Sequence, residues 1–101
     1  MVEVIWTKKA LGQLERAVKY IQNEQGTSYA KIVLNKILDS TELLENHLNI
    51  GTIEPLLKHK KSEYRFLVVW SYKIIYRMTK SKVVISRVFH TSRDPKKLKG
   101  I

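Results

Sequence analysis

The spacing of apolar residues changes once along this chain, around a breaker-rich segment at residues 49–55 that contains Gly51 and Pro55. Before this segment, apolar residues recur at steps of three and four, which is typical of one face of an α-helix. After it, apolar and polar residues alternate with a period of two, which is typical of β-strands. A helical half followed by a stranded half predicts an α+β domain with its helices laid on a sheet.

The first half predicts a short strand over residues 1–6 and then two helices. Thr7 is a suitable N-cap for the first helix, and Gly26 is a suitable residue to end it. Thr27 or Ser28 then caps a second helix, which continues to about His47. The apolar stripes contain Ala10, Leu11, Leu14, Val18 and Ile21 in the first helix, and Ala30, Val33, Ile37, Thr41, Leu44 and Leu48 in the second. Because the turn between them is short, the helices form an antiparallel hairpin.

The second half predicts three strands, over residues 64–70, 72–79 and 83–90, joined by tight turns as an antiparallel meander. The predicted fold is therefore a two-layer α+β domain of the whole chain, residues 1–101. In it, an N-terminal strand and an antiparallel helical hairpin pack on one face of a three- to four-stranded antiparallel sheet. A length of 101 residues fits one such domain and is too short for two.

A two-residue turn at residues 80–81 fixes the expected register of the last two strands. It pairs Arg77 with Val84 and Ser71 with His90, which places four polar side chains on one face of the sheet. These are Lys73, Arg77, Ser86 and His90. The same register places Arg87 on the face under the helices. The direction of Arg65 stays open, since it depends on the turn at residues 70–71.

Basic charge is concentrated in the second half of the chain. The sequence has 19 Lys and Arg against 9 Asp and Glu, a net charge of +10. Residues 1–57 have a balance of −1, and residues 58–101 have a balance of +11. This asymmetry favours a polyanionic partner, such as nucleic acid, a ribosome or an acidic protein segment, over charge that serves solubility alone.

Several classes of protein are disfavoured by what the sequence lacks. It has no cysteine, no long apolar segment and no signal-peptide pattern, so we expect a cytoplasmic protein without a membrane partner. The three histidines (His47, His59 and His90) match no metal-ligand spacing, and there is no Gly-rich phosphate loop. Neither a metal nor a small-molecule cofactor is expected.

Cleavage of RNA by its own 2′-hydroxyl needs a base, an acid and cations that stabilise the phosphate. His90 is a candidate acid or base and Glu54 a candidate base, while Arg65, Lys73 and Arg77 are candidate phosphate ligands. Each also has a structural interpretation, as a hydrogen-bonded strand-end histidine, a solvated loop carboxylate or a solvated cation. The basic residues at positions 58, 60 and 61 (Lys58, Lys60 and Lys61) form either a phosphate-contacting or a solvated loop.

The order of these elements resembles the RelE/ParE superfamily of toxins from bacterial type II toxin–antitoxin modules, also called plasmid stabilisation proteins. The resemblance covers nearly the whole chain. It is carried by VIWT at residues 4–7, the helical stripe at 10–21, GTIEPL at 51–56, YRFLVV at 64–69, YKIIYR at 72–77 and ISRVFHTSRDP at 85–95.

The resemblance implies one of two activities. The strand at residues 72–77 and the tail at 88–95 look most like the ParE-type branch, which poisons DNA gyrase. Glu54-Pro55-Leu56 together with His90 look like YoeB-type ribonucleases, which cleave messenger RNA on the ribosome. In that comparison Lys73 stands where an active-site arginine is expected, and Thr91 stands where a tyrosine is expected. The lysine-rich RelE-type site would correspond loosely to Lys58, Lys60, Lys61 and Arg65.

The resemblance therefore implies a ParE-like toxin that arrests growth, by inhibiting DNA gyrase, and is neutralised by a cognate antitoxin. The alternative is a metal-independent, ribosome-dependent mRNA endoribonuclease (mRNA interferase). Its catalytic residues would be Glu54, Arg65, Lys73, Arg77 and His90, and its nucleic-acid ligands Lys58, Lys60, Lys61 and Arg93. A degenerate toxin that only binds the antitoxin is a third possibility. The antitoxin would add a strand to a sheet edge or lay a helix across the hairpin, and residues 96–101 are candidates for contact with gyrase.

Overall fold

The computed structural model describes residues 2–92 and residue 101, which contain two helices and five strands. The strands are β1 (Glu3–Trp6), β2 (Thr52–Ile53), β3 (Tyr64–Val69), β4 (Tyr72–Met78) and β5 (Lys82–His90). The helices are α1 (Lys8–Gln25) and α2 (Thr27–Glu42), and short 3-10 turns cover Leu43–Glu45 and Pro55–Leu57. Neither helix combines the length and the apolar character needed to cross a membrane.

The helical hairpin forms as predicted, with two differences at its ends. The Thr7 hydroxyl caps α1 by accepting a hydrogen bond from the Ala10 N–H at 3.1 Å. The predicted cap of α2 at Thr27 or Ser28 is wrong, because Gly26 occupies that position with φ 95°, a conformation that favours glycine. The α-helix ends at Glu42 instead of near His47, since the chain tightens into a 3-10 turn.

The sheet has five strands in the order β1-β5-β4-β3-β2, and it is mixed. The predicted sheet of three to four antiparallel strands therefore needs two corrections. First, β1 pairs in parallel with β5, from Glu3 beside Lys82 to Trp6 beside Ile85. The helical hairpin and the strands β2 to β4 lie between these two strands in the chain. Second, the breaker-rich segment contributes β2, whose two residues pair with β3.

A bulge in β5 changes which side chains share a face. Arg77 lies opposite Val84, as predicted, but Tyr76 then lies opposite Ile85 and Ile75 opposite Arg87. Ser86 is therefore an extra residue, and every side chain after it points to the face opposite the predicted one.

His90 and Arg87 change places as a result. His90 lies opposite Tyr72 instead of Ser71, so its predicted position on the same face as Lys73 and Arg77 is wrong. The predicted position of Arg87 under the helices is wrong for the same reason. Arg87 lies opposite Ile75, on the face that the helices leave uncovered.

The two faces of the sheet differ in how they are covered. The inner face packs against α1 and α2 and contains the main core, which comprises Ala10, Leu14, Ile21, Ala30, Val33, Ile37, Leu44, Val69, Tyr72, Ile74, Tyr76, Val83, Ile85 and Val88. The outer face has a much smaller cluster, in which Leu57 and Ile75 are buried and Tyr64, Phe66, Phe89 and Ile101 pack around them. Charged residues lie beside this second cluster.

Candidate functional site

The outer face holds a buried ion pair between Glu54 and Lys73. Glu54 directly follows β2, and its Oε1 caps the next 3-10 turn by accepting from the Leu56 N–H at 3.2 Å. Its Oε2 lies 2.6 Å from the Lys73 Nζ, and the Glu54 side chain is 1 % exposed. The contact is principally electrostatic, since its geometry is not that of a well-aligned hydrogen bond.

Lys73 crosses the outer face to reach this carboxylate. It starts from β4, opposite Val68, and its Nζ lies 4.2 Å from the centroid of the Phe66 ring. The ring face attracts the ammonium group, and the carboxylate provides its counter-charge. Both ends of the ion pair are thus held by the fold.

Two arginines complete the charged part of the outer face. Arg77 is half-buried on β4, between Tyr64 on β3 and Val84 on β5. Arg87 is almost fully buried, and its Nη1 donates to the Ser86 carbonyl at 2.8 Å. Among residues 2–92 and 101, the outer face therefore carries three cations on its strands, from Lys73, Arg77 and Arg87, beside the buried carboxylate of Glu54.

Arg65 does not join this set, because it is committed to a structural role. Its Nη1 donates to the Gly51 carbonyl, and its Nε donates to Glu63, both at 2.8 Å. It lies opposite Tyr76, so its side chain starts from the inner face. This resolves the direction that the sequence left open.

The Tyr76 hydroxyl holds the same loop from inside. It donates to the Leu48 carbonyl at 2.9 Å and accepts from the Gly51 N–H at 3.0 Å. A Cβ at Gly51 would lie 2.6 Å from that hydroxyl and 2.7 Å from the Phe66 carbonyl, so only glycine fits. Burial is the main reason that the pKa of Tyr76 is raised above its usual value.

His90 lies on the inner face, at the end of β5. Its ring packs edge-on against Tyr72, with centroids 5.4 Å apart. Its Nδ1 accepts from the Ser92 N–H at 3.1 Å and lies 2.7 Å from the Ser92 hydroxyl. This bonding assigns the ring proton of the neutral histidine to Nε2. The ring borders a groove between α1 and β5.

The structure thus brings some of the predicted residues together and separates others. It brings Glu54 and Lys73 into contact and places Arg77 on the same face, while Arg65 and His90 start from the inner face. Lys58, Lys60 and Lys61 are exposed in the loop before β3. Arg93 and residues 96–100 lie outside the described residues. Within residues 2–92 and 101, no three acidic or histidine side chains converge as a metal site would require.

The sequence prediction missed Arg87 and Gly51. Arg87 was an apparent misfit in a strand predicted to face the helices, and that misfit was the available signal for the bulge. Gly51 was read only as part of a breaker-rich connection, because the approach of Tyr76 comes from a residue 25 positions away.

Chemically, the outer face can attract and orient an anion, but its carboxylate is already engaged. A general base has to reach the proton that it removes. Glu54 is closed off from solvent and its two oxygens contact Leu56 N and Lys73 Nζ. His90, the histidine predicted as a candidate acid or base, lies on the opposite face of the sheet.

This helical hairpin on a five-stranded mixed sheet agrees with the ParE-like fold that the resemblance implied. A family model described as the ParE toxin of the type II toxin–antitoxin system, parDE, matches residues 4–95. The chain belongs to the ParE toxin family.

The solved structures support the fold. A chain of the chromosomal ParDE toxin–antitoxin system from P. aeruginosa is similar to this one with a TM-score of 0.73 and 20% sequence identity. The match covers 89% of this chain and 96% of that chain. No curated protein sequence matches this chain significantly.

Proposed function

We propose that this chain is the toxin of a type II module, that it arrests growth by inhibiting DNA gyrase in the cytoplasm, and that a cognate antitoxin neutralises it. Its membership of the ParE toxin family supports the role as a toxin. The likeness of the strand at residues 72–77 and the tail at 88–95 to the ParE-type branch supports gyrase as the target.

The choice between gyrase and RNA depends on the separation of Glu54 and His90 by the sheet. A ribonuclease that uses these residues as base and acid needs both within reach of one phosphodiester. Glu54 contacts Lys73 on the outer face, whereas His90 packs against Tyr72 on the inner face. This placement on opposite faces supports a function that does not need the two groups at one scissile bond.

One observation favours the ribonuclease alternative. Lys73, Arg77 and Arg87 gather three cations on one face, beside the aromatic rings of Phe66 and Phe89. Such a surface suits a single-stranded nucleic acid, because cations contact phosphates and rings stack on bases. Among the described residues, this face provides cations and rings for binding but no free acid for the leaving oxygen.

Two assays on the purified protein test the proposal together. We expect the protein to inhibit DNA supercoiling by gyrase, and we expect messenger RNA in a translating cell-free extract to remain intact by primer extension. The variant His90→Ala should inhibit supercoiling within twofold of the wild type. Its thermal unfolding is recorded as well, so that a loss of fold is not mistaken for a loss of function.

The opposite results would overturn the proposal. Codon-phased cuts that disappear when initiation is blocked, and that His90→Ala abolishes, would establish the ribonuclease. Intact message, normal supercoiling and unaffected growth would leave a degenerate toxin that only binds the antitoxin.

A further inference from the structure

The turn between β3 and β4 contains the one non-glycine residue that has a positive φ among the described residues. Trp70 has φ 57°, and together with Ser71 it forms the two-residue turn between the paired residues Val69 and Tyr72. Glycine adopts this conformation without strain, whereas a residue with a Cβ adopts it at a cost. Backbone strain of this kind clusters at functional sites, so the residue that bears it is a candidate for a functional role.

Packing within the domain makes little use of this tryptophan. Its ring meets Tyr29 edge-on, and about half of the residue stays exposed. Trp6 on β1 is different, because it packs against the main core from an ordinary strand conformation. Since the stabilisation from an aromatic side chain comes mainly from the area that it buries, the position of Trp70 is poorly explained by stability alone.

Trp70 belongs to a group of apolar side chains that wraps around one end of β3. We call this group the Trp70 patch, and it comprises Tyr29, Ile32, Val68 and Trp70. Val68 lies on the outer face, opposite Lys73, and is about half exposed. Ile32 follows Tyr29 by one turn of α2 and is also about half exposed. Because β2 pairs only with the first half of β3, no described strand separates these side chains at the open edge of the sheet.

The chemistry of the Trp70 patch favours a folded protein surface as its occupant. Tryptophan and tyrosine are the side chains that most often anchor protein interfaces, because each fills a pocket in the partner. All four side chains of the patch are uncharged, so a nucleic acid would find no phosphate ligand among them.

The charge around the patch restricts the partner further. Lys36 lies one turn beyond Ile32 on α2, and residues 58–101, which include β3 and β4, have a charge balance of +11. The complementary surface therefore has an apolar pocket with carboxylates around it. A second copy of this chain is disfavoured, because each copy has a net charge of +10.

We propose that the Trp70 patch is the surface through which this chain binds DNA gyrase, with the Trp70 indole inserted into an apolar pocket that carboxylates of the enzyme surround. This inference rests on the proposed inhibition of gyrase and names the contact that produces it. It involves neither the ion pair of Glu54 and Lys73 nor His90.

The test is the affinity of the full-length toxin for purified gyrase without DNA, by biolayer interferometry, together with inhibition of supercoiling. Trp70→Gly is the decisive variant, since it removes the ring and also relieves the backbone of the turn. We expect it to weaken binding about tenfold or more and to raise the inhibitory concentration by the same factor. Val68→Thr keeps the shape of the side chain but makes it polar, and it should weaken binding about threefold.

Two further variants control for unspecific effects. Leu11→Gln makes an exposed apolar residue of α1 polar at the end of the hairpin opposite to Tyr29, so it should change the affinity less than about twofold. Trp70→Phe keeps an aromatic ring at the strained position, and its affinity should lie between those of the wild type and Trp70→Gly. Thermal unfolding of all four variants verifies that they are folded.

The possible outcomes separate this inference from the proposed function. Equal affinities of the wild type and Trp70→Gly for gyrase would overturn the inference and leave the inhibition of gyrase standing. A loss of affinity for the antitoxin alone, or the loss of a dimer in sedimentation, would assign the patch to the antitoxin or to a second copy and would also overturn it. A loss seen only when DNA is present would assign the patch to DNA instead. A wild-type chain that does not bind gyrase would overturn the proposed function and the inference together.

Discussion

Both faces of the sheet are partly buried, but they differ in the kinds of residue that they contain. The inner face is closed by two helices and is almost entirely apolar. The outer face has a small apolar cluster and, beside it, the ion pair of Glu54 and Lys73 with two arginines. The inner face supplies the stability that a small domain can gain from apolar burial. The outer face instead holds charged side chains that are largely or partly buried beside its smaller cluster.

Charge on the outer face is also costly to keep there. Burying a carboxylate is unfavourable unless a cation compensates it, and an ion pair of this kind adds little net stability over an apolar pair. The ion pair is therefore expected to add little to the net stability of this domain. The comparison therefore predicts that mutations on the two faces will have different consequences.

The largest effect should come from two neighbouring isoleucines on β4. Ile74 faces inward and Ile75 faces outward, and both are fully buried. We expect Ile74→Ala to cost about 4 kcal/mol, because the cavity lies between rigid layers, and Ile75→Ala about 2 kcal/mol, because the smaller outer cluster can collapse. Urea denaturation of both variants measures the difference. Equal costs would show that the outer cluster is as well packed as the main core.

A second prediction concerns Tyr76, which joins the inner face to the loop that supplies Glu54. Tyr76→Phe should cost about 2 kcal/mol at neutral pH, since it leaves the buried Gly51 N–H without its partner. Tyr20→Phe is the matched control, because Tyr20 is exposed. It should change the unfolding free energy by less than about 0.5 kcal/mol.

The same variant should show a dependence on pH. The pKa of Tyr76 is raised from 10.0 in the folded chain, mainly by burial. The folded state therefore holds its proton more tightly than the unfolded state, and stability falls as pH rises from about 10 towards the folded pKa. Tyr76→Phe lacks this loss, so its deficit relative to wild type should shrink above about pH 10. A constant deficit between pH 8 and 11 would contradict the assigned burial effect.

The helical hairpin could be predicted from the sequence because its signals are local. Thr7, Gly26 and the three- and four-residue spacing lie within one segment each. The parallel pairing of β1 with β5 could not be predicted from local signals, because it joins residues far apart in the chain, such as Glu3 and Lys82. The sequence of neither strand indicates its partner. β2 was missed because two residues are too few to show a period.

The candidate site was harder to predict, because it depends on which side chains of β5 face the helices and which face the other side of the sheet. Residues 83–85 are all apolar, and so are Val88 and Phe89. The apolar pattern therefore does not determine which alternate set of side chains faces the helices. One extra residue at Ser86 then moves His90 to the inner face and Arg87 to the outer face. The sequence predicted Glu54 and Lys73 only as two separate candidates. Their ion pair could not be predicted, because the two residues lie on opposite sides of β3 in the sheet.

The smallest effect should come from Trp70, at the hairpin turn where β3 joins β4. Trp70 has φ 57°, a left-handed conformation that non-glycine residues rarely adopt. Positive φ at the first of two turn residues is the pattern of a type II′ hairpin, which favours glycine at this position. Its ring packs edge-on against Tyr29 on α2, with centroids 5.2 Å apart, while 49% of the residue stays exposed. A strained backbone conformation at Trp70 thus accompanies the contact between its ring and Tyr29.

Comparison of two substitutions separates the strain from the ring contact. Both Trp70→Gly and Trp70→Ala remove the contact with Tyr29, but only glycine relieves the backbone. We expect the glycine variant to be more stable than the alanine variant by about 1 kcal/mol in urea denaturation, the reverse of the order found within helices and strands. At Ser71, which follows in the same turn without a positive φ, the alanine variant should be the more stable of the pair. An alanine variant as stable as glycine at position 70 would mean that the turn relaxes without cost, and the ring contact alone would then explain the tryptophan.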